Sequence, residues 1–228
     1  MANAKKTEKD AALKENVEQT VSKTEQFYNA NKKTIWGLVI AVVVVGVAVL
    51  AYNKFILQPK CEEAMEQCYP AENLFRNGEY ELALNGDGNI LGFAQIIEDY
   101  GSKAGNAAYL YAGICALNNG AFEDAVSYLG KYKGKDPILY TRALSCKGDA
   151  YVGLEQYESA LSCFSKAAKK AGKGAPFYAA SYLVKAGLAA EALGKKDEAL
   201  KFYQTVKNDY PQSIEAYEID KYIAAVEE

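Results

Sequence analysis

Twenty consecutive residues without a charge, Thr34 to Asn53, constrain this chain more than anything else in it. Their centre, Leu38 to Ala51, reads LVIAVVVVGVAVLA, and about twenty residues at about 1.5 Å each cross the hydrocarbon of a bilayer. Such a helix has nothing to cover it in water, so residues 34–57 are expected to span a membrane once, solvated by lipid. Trp36 and Tyr52 stand near its two ends, where amphipathic rings favour the interface, and Lys32, Lys33 and Lys54 are placed to reach the headgroups. A cleaved signal peptide has a short leading segment, whereas 33 residues precede this run. The following ILQPKC also lacks the small residues that lead into a lipidated cysteine.

Lysines near the ends set the expected orientation. Lys14, Lys23, Lys32 and Lys33 precede the span, against Lys54, Lys60 and Arg76 after it, which favours a cytoplasmic N-terminus with the larger part of the chain outside. Residues 1–33 carry seven lysines against five acids, and the remainder 19 basic against 24 acidic residues, so a tail of net +2 precedes a body of net −5. Within the tail, Leu13, Val17, Val21, Thr24 and Phe27 recur at three-to-four spacing, predicting an amphipathic helix over 8–31 that either lies on the inner leaflet or stays solvated.

The same charge balance narrows function. A net-acidic body repels phosphate backbones, and no basic stripe interleaved with aromatics is present, so nucleic acid is not an expected partner. Five irregularly spaced cysteines (Cys61, Cys68, Cys115, Cys146, Cys163) make no disulfide framework and read as small buried hydrophobes. The chain has no histidine and no CxxC pair, which removes most metal-site and acid–base chemistry. It also lacks a nucleophile elbow, a phosphate-cradling glycine loop and a clustered carboxylate motif. No catalytic residue, metal, cofactor or small-molecule substrate is expected.

Beyond Pro59 the apolar spacing is helical and is broken by Gly and Asn at regular places, the mark of a repeat array. Three units of about 34 residues align as Asn106–Leu139, Thr141–Gly174 and Ala180–Ser213. The second is the fullest copy, with Gly148, Tyr151, Tyr157, Ala160, Phe164 and Ala167. The first carries Gly113, Phe122, Ala125 and Pro137, and the third Gly187, Ala199, Tyr203 and Pro211. Mid-helix glycine costs about 1 kcal/mol against alanine, a cost that makes sense where a neighbouring helix comes too close for a side chain. Ala125, Ala160 and Ala199 then supply a flat spot on the second helix, Tyr151, Phe164 and Tyr203 fill the space between repeats, and Pro137 and Pro211 are expected to end the second helices. A degenerate earlier unit over 58–105 begins with Ala71, Leu74, Gly78, Tyr80 and Ala83, then is interrupted by Asn85-Gly86-Asp87-Gly88-Asn89. That stretch lacks the spaced carboxylates and terminal Glu of a calcium loop. Residues 214–228, with Ile214, Tyr217, Tyr222, Ile223 and Val226, read as a capping helix.

Residues 61–228 therefore resemble the tetratricopeptide-repeat family. The resemblance implies an all-α solenoid behind the transmembrane helix, three repeats over 106–213, and a scaffolding activity in which the first helices line a groove for a peptide or partner helix. Carried over position by position, the implied groove residues are Ala107, Leu110, Ile114, Leu117 and Asn118 in the first unit. In the second they are Arg142, Ser145, Asp149, Val152 and Gly153, and in the third Ser181, Val184, Leu188, Glu191 and Ala192. Family members that clamp a C-terminal carboxylate need several converging cations and amides, and only Arg142 and Asn118 are present, so the groove is expected to suit an apolar helix or an unfolded segment. Its occupant is left open between a partner and the chain's own C-terminal helix.

The layout of a short tail whose Phe27-Tyr28-Asn29-Ala30-Asn31-Lys32 leads into one span, followed by repeats, is similar to the YfgM-type ancillary subunits of the bacterial Sec translocon. That resemblance implies an inner-membrane protein with a periplasmic repeat domain, whose partners are translocon subunits, a membrane-anchored periplasmic chaperone and newly exported chains. Two rivals keep the fold and change the role: a cell-envelope factor for outer-membrane protein assembly, and an organelle-surface import receptor that recognises targeting helices.

Overall fold

The computed structural model describes the backbone of residues 2–227 and the side chains of residues 25–227 apart from Lys173. Every regular element among these residues is helical. The chain divides into two compact units, Met1–Gln58 and Pro59–Glu228.

The first unit is helix α1 (Ala2–Tyr52) closed by a π-helical turn, Asn53–Leu57. The expected amphipathic face over 8–31 lies outside the described side chains as far as Thr24. From Leu38 to Leu50 the apolar side chains have no cover, Leu50 being 69% exposed, and the helix is long and apolar enough to cross a membrane. At its head the Trp36 indole N–H donates to the Tyr28 hydroxyl at 3.1 Å, tying two interfacial rings along one face. The π turn has a local cause: Pro59 has no amide to offer the Phe55 carbonyl, and the Gln58 N–H pairs five residues back with Asn53.

The second unit is a stack of antiparallel hairpins. Helix α2 (Gln58–Arg76) is followed by the short α3 (Tyr80–Asn85) and α4 (Phe93–Tyr100). Three regular hairpins follow: α5 (Gly105–Asn118) with α6 (Phe122–Lys131), α7 (Pro137–Gly153) with α8 (Tyr157–Ala171), and α9 (Pro176–Ala192) with α10 (Lys196–Asp209). Helix α11 (Ile219–Glu227) packs on α10 and buries Ile219 and Val226, closing the end of the stack.

One turn geometry recurs in all four hairpins. The N–H groups of Glu79, Ala121, Gln156 and Lys195 each donate five residues back, to Leu74, Ala116, Tyr151 and Ala190, at 2.8–3.0 Å. These bonds satisfy the last orphan carbonyls of the first helix, as a Schellman cap does. The motif requires one left-handed residue, supplied by Gly78 (φ 81°), Gly120 (φ 76°) and Gly194 (φ 71°), but by Glu155 (φ 57°) in the second repeat. The degenerate unit has this same turn between α2 and α3.

Packing between paired helices has an equally regular rule. A Cβ added to Gly113, Gly148 or Gly187 would lie 2.5, 2.5 or 2.2 Å from Leu129, Phe164 or Tyr203 respectively. The bare glycine is thus a socket for a large side chain sixteen positions later in the chain, while Ala125, Ala160 and Ala199 are fully buried one turn before it. Phe164 and Tyr203, expected to fill the space between repeats, each seat on the glycine of their own hairpin, and Tyr151 stays half-buried with the Lys147 ammonium 5.7 Å from its ring centre. Buried side chains form two clusters, one from Cys68 to Ala150 and one from Ala160 to Val226. All five cysteines are free, and Cys68, Cys115 and Cys163 are buried. Burial pushes the Cys68 thiol up to about 11 and that of Cys115 to about 12, which leaves both unreactive.

The expected role of Pro137 needs correction. Pro137 does not end a second helix: α6 stops at Lys131 as Tyr132 turns extended (ψ 124°), and Pro137 opens α7 behind the Asp136 N-cap, whose carboxylate accepts from the Leu139 N–H at 2.8 Å. Proline suits that place because the first helical amide is an orphan anyway. The expected interruption is a pinched loop over residues 86–92, between α3 and α4. Asp87 accepts from the Asn89 and Ile90 amides at 2.9 and 2.8 Å, and those bonds hold its carboxyl below the usual carboxylate range. Gly86 and Gly92 come so close to opposing backbone that a Cβ would meet Ile90 or Leu84 carbonyl oxygen at 2.3 or 2.2 Å.

Two substitutions test these rules. Gly148→Ala pushes a methyl into a Phe164 ring that is only 2% exposed, and is expected to destabilise the repeat domain by about 1–3 kcal/mol in thermal unfolding. Glu155→Gly removes a left-handed side chain and is expected to stabilise it by about 0.5–1 kcal/mol, an increase in Tm of about 1–4 °C.

Candidate partner-binding groove

The face shared by α5, α7 and α9 is built from residues two helical turns apart on each helix. It is not uniformly open. In α5, Leu110 and Ile114 are 5% and 7% exposed and lie in the core cluster, Leu117 is half-buried, and the Asn118 amide folds back to donate to the Ile114 carbonyl at 2.8 Å. The physical reason is that α5 packs against α3, α4, α6 and α7 at once, which covers most of its length and leaves Ala107 in its first turn exposed. Leu110 and Ile114 therefore belong to the core instead of presenting a free groove surface.

Helices α7 and α9 carry the accessible part. Arg142 is exposed, and Val152 and Leu188 are 39% and 45% exposed. Asp149 receives the Lys185 ammonium at 2.7 Å, which also lies 3.4 Å from the Ser145 hydroxyl and 5.7 Å from the centre of the Phe164 ring. This pair bridges the first helices of the second and third repeats, each side chain about one-third exposed; at that exposure it contributes about 0–1 kcal/mol. Cys146 sits beside it. Burial and the Asp149 carboxylate push its thiol up, while Arg142 and Lys185 pull it down.

The remaining residues go elsewhere. Val184 lines a pocket of about 330 Å³ with Ile214, Tyr217 and Tyr222 from the segment after α10, so the C-terminal segment covers this end of the face. Glu191 points into the hairpin and accepts a hydrogen bond from the buried Tyr203 hydroxyl. Burial and the bond to Glu191 raise that hydroxyl well above the usual tyrosine range. The structure thus gathers Arg142 and Asp149 with Ser145, Cys146 and Lys185, and leaves Leu110, Ile114, Val184 and Glu191 in other surroundings. Lys185 is the residue that sequence reasoning misses. Its signal is Asp149 itself, a carboxylate on an otherwise apolar face that asks for a cation on the next first helix.

Residues 181–213 match a family model described as tetratricopeptide repeat. That span is the α9–α10 hairpin with its exit turn, and the α5–α6 and α7–α8 hairpins share its turn and its glycine socket. The second unit has the fold of a tetratricopeptide-repeat solenoid. No curated protein matches the chain.

The α7–α9 cluster has a chemical readout. Asp149→Ala is expected to lower the Cys146 thiol pKa and speed its alkylation by a maleimide, whereas Lys185→Met slows it; peptide mapping by mass spectrometry follows the rate.

Proposed function

We propose that this chain is a membrane-anchored protein-interaction scaffold, an accessory subunit of the Sec translocon that assists newly exported proteins. The observation that carries the scaffold reading is the pairing of a lipid-seeking helix with a tetratricopeptide-repeat solenoid whose α7–α9 face leaves Arg142, Val152 and Leu188 exposed. Apolar side chains beside an Arg fit an extended or helical protein segment better than a small polar ligand.

The assignment to export rests on layout: the lysine bias around residues 34–57, the membrane-proximal Phe27-Tyr28-Asn29-Ala30-Asn31-Lys32 stretch and the repeats beyond it. In this reading the N-terminus is cytoplasmic, the protein sits once through a bacterial inner membrane, and the repeats act in the periplasm beside the channel and a membrane-anchored chaperone. It works without catalysis, by holding client segments on the α7–α9 face.

The experiment is a gentle-detergent purification of the full chain from its native membrane with co-purifying proteins identified by mass spectrometry. Sec channel subunits and a membrane-anchored chaperone are the expected partners, whereas barrel-assembly or organelle-import proteins would overturn the assignment to export. Val152→Asp with Leu188→Asp places charges on exposed positions, so it is expected to weaken crosslinking to exported chains by about tenfold while circular dichroism stays unchanged.

A further inference from the structure

A second surface lies on the side of α7 opposite Arg142 and Asp149. Tyr140 and Leu144 there form the floor of a cleft of about 620 Å³, walled by Lys135 from the α6–α7 connection and by Lys166, Lys169 and Lys170 from α8. The three α8 lysines follow i, i+3, i+4 spacing and so share one helical face, about 5–6 Å apart. All four are exposed, and among the described residues none pairs with a carboxylate.

The concentration is unusual for this chain. Segments 130–137 and 164–174 carry seven lysines and one acid, Asp136, in a body where acids outnumber bases 24 to 19. Asp136 offers no compensation because it caps α7. Like charges held together on one face cost free energy, which the α8 dipole offsets only for Lys169 and Lys170 in its last turn, and the floor between them keeps apolar surface open, Tyr140 being 37% exposed.

We infer that this cleft binds an acidic peptide segment of a partner protein, with carboxylates on Lys135, Lys166, Lys169 and Lys170 and an apolar side chain on Tyr140 and Leu144. The α8 spacing matches carboxylates at i and i+2 of an extended segment, about 7 Å apart, or at i and i+4 of a helix. Lysine, a flexible point charge, tolerates either. The apolar floor favours a peptide over a bare anion, and the site is separate from the α7–α9 face of the proposed function.

The test uses the full chain in a neutral detergent and fluorescence anisotropy of a fluorescein-labelled octapeptide of alternating Glu and Phe. It is expected to bind, to weaken several-fold as salt rises from about 0.05 M to about 0.5 M, and to lose about tenfold or more in affinity with Lys166→Glu, Lys169→Glu and Lys170→Glu together. Lys169→Gln with Lys170→Gln is a milder variant that keeps helix propensity and should give an intermediate loss; Tyr140→Ser should weaken binding without changing its salt dependence. Equal binding of a Gln-Phe peptide, no response to charge reversal in a folded variant, or uptake of short-chain phosphatidylglycerol without the peptide would each overturn the inference.

Discussion

The repeat domain depends on one contact made three times: a large side chain of the second helix seated on a bare glycine of the first. Leu129 on Gly113, Phe164 on Gly148 and Tyr203 on Gly187 set how closely each pair of helices approaches. Alanines at 125, 160 and 199 follow from the same closeness, since nothing larger fits one turn earlier. With the distance fixed, the same Schellman turn leads each first helix into its second. Accessible residues on the first helices are then a remainder. They are whatever positions are not used to seat a ring, meet the next hairpin or cap the turn.

This explains why some of the molecule could be read from its residues and some could not. The apolar segment, the three units and their glycine–alanine register are written locally, and the structure carries a helix long and apolar enough to cross a membrane and three helical hairpins in that register. The groove is harder because helical period alone does not separate a lining position from a core position when a helix is apolar all round. Helix α5, GNAAYLYAGICALN, is such a helix, and Leu110 and Ile114 go to the core. Glu191 shows the opposite failure: a charged residue expected on an open face turns inward because a buried tyrosine hydroxyl needs an acceptor. Lys185 required knowledge of which residue of α9 stands opposite Asp149, a fact of packing between repeats that sequence spacing does not contain.

Backbone approach was the other hidden quantity. Asn85-Gly86-Asp87-Gly88-Asn89 marks a break, but it does not reveal that Gly86 and Gly92 pinch the chain until backbone nearly touches backbone. The pinch lets α3 and α4 both press on α5 despite the interruption between them, with Phe93 stacked on Tyr111 at 5.3 Å. Phe75 lies 4.8 Å from the same Tyr111 ring, so α2 and α4 meet over a single aromatic of α5. The degenerate unit thus keeps its hairpin turn and replaces the continuous second helix with two pieces that converge on one ring.

Charge follows the division between what the fold uses and what it leaves. Lys185–Asp149 and Lys207–Asp220 each join two different helices and Lys195–Glu158 joins the α9–α10 turn to α8, so those lysines help to fasten neighbouring elements. Lys135, Lys166, Lys169 and Lys170 fasten nothing. Lysines in the last turn of α8 suit the negative end of its dipole, worth about 0.3–1 kcal/mol each. That accounts for Lys169 and Lys170, which lie in that turn, but not for Lys135 on another element or for the exposed Tyr140 ring between them. In the roles proposed for them, two surfaces of the stack take partners: the α7–α9 face, where Val152 and Leu188 lie beside Arg142, and the basic cleft behind α7. Segments of opposite chemistry can occupy them at the same time, because Arg142 and Tyr140 project from opposite sides of one helix.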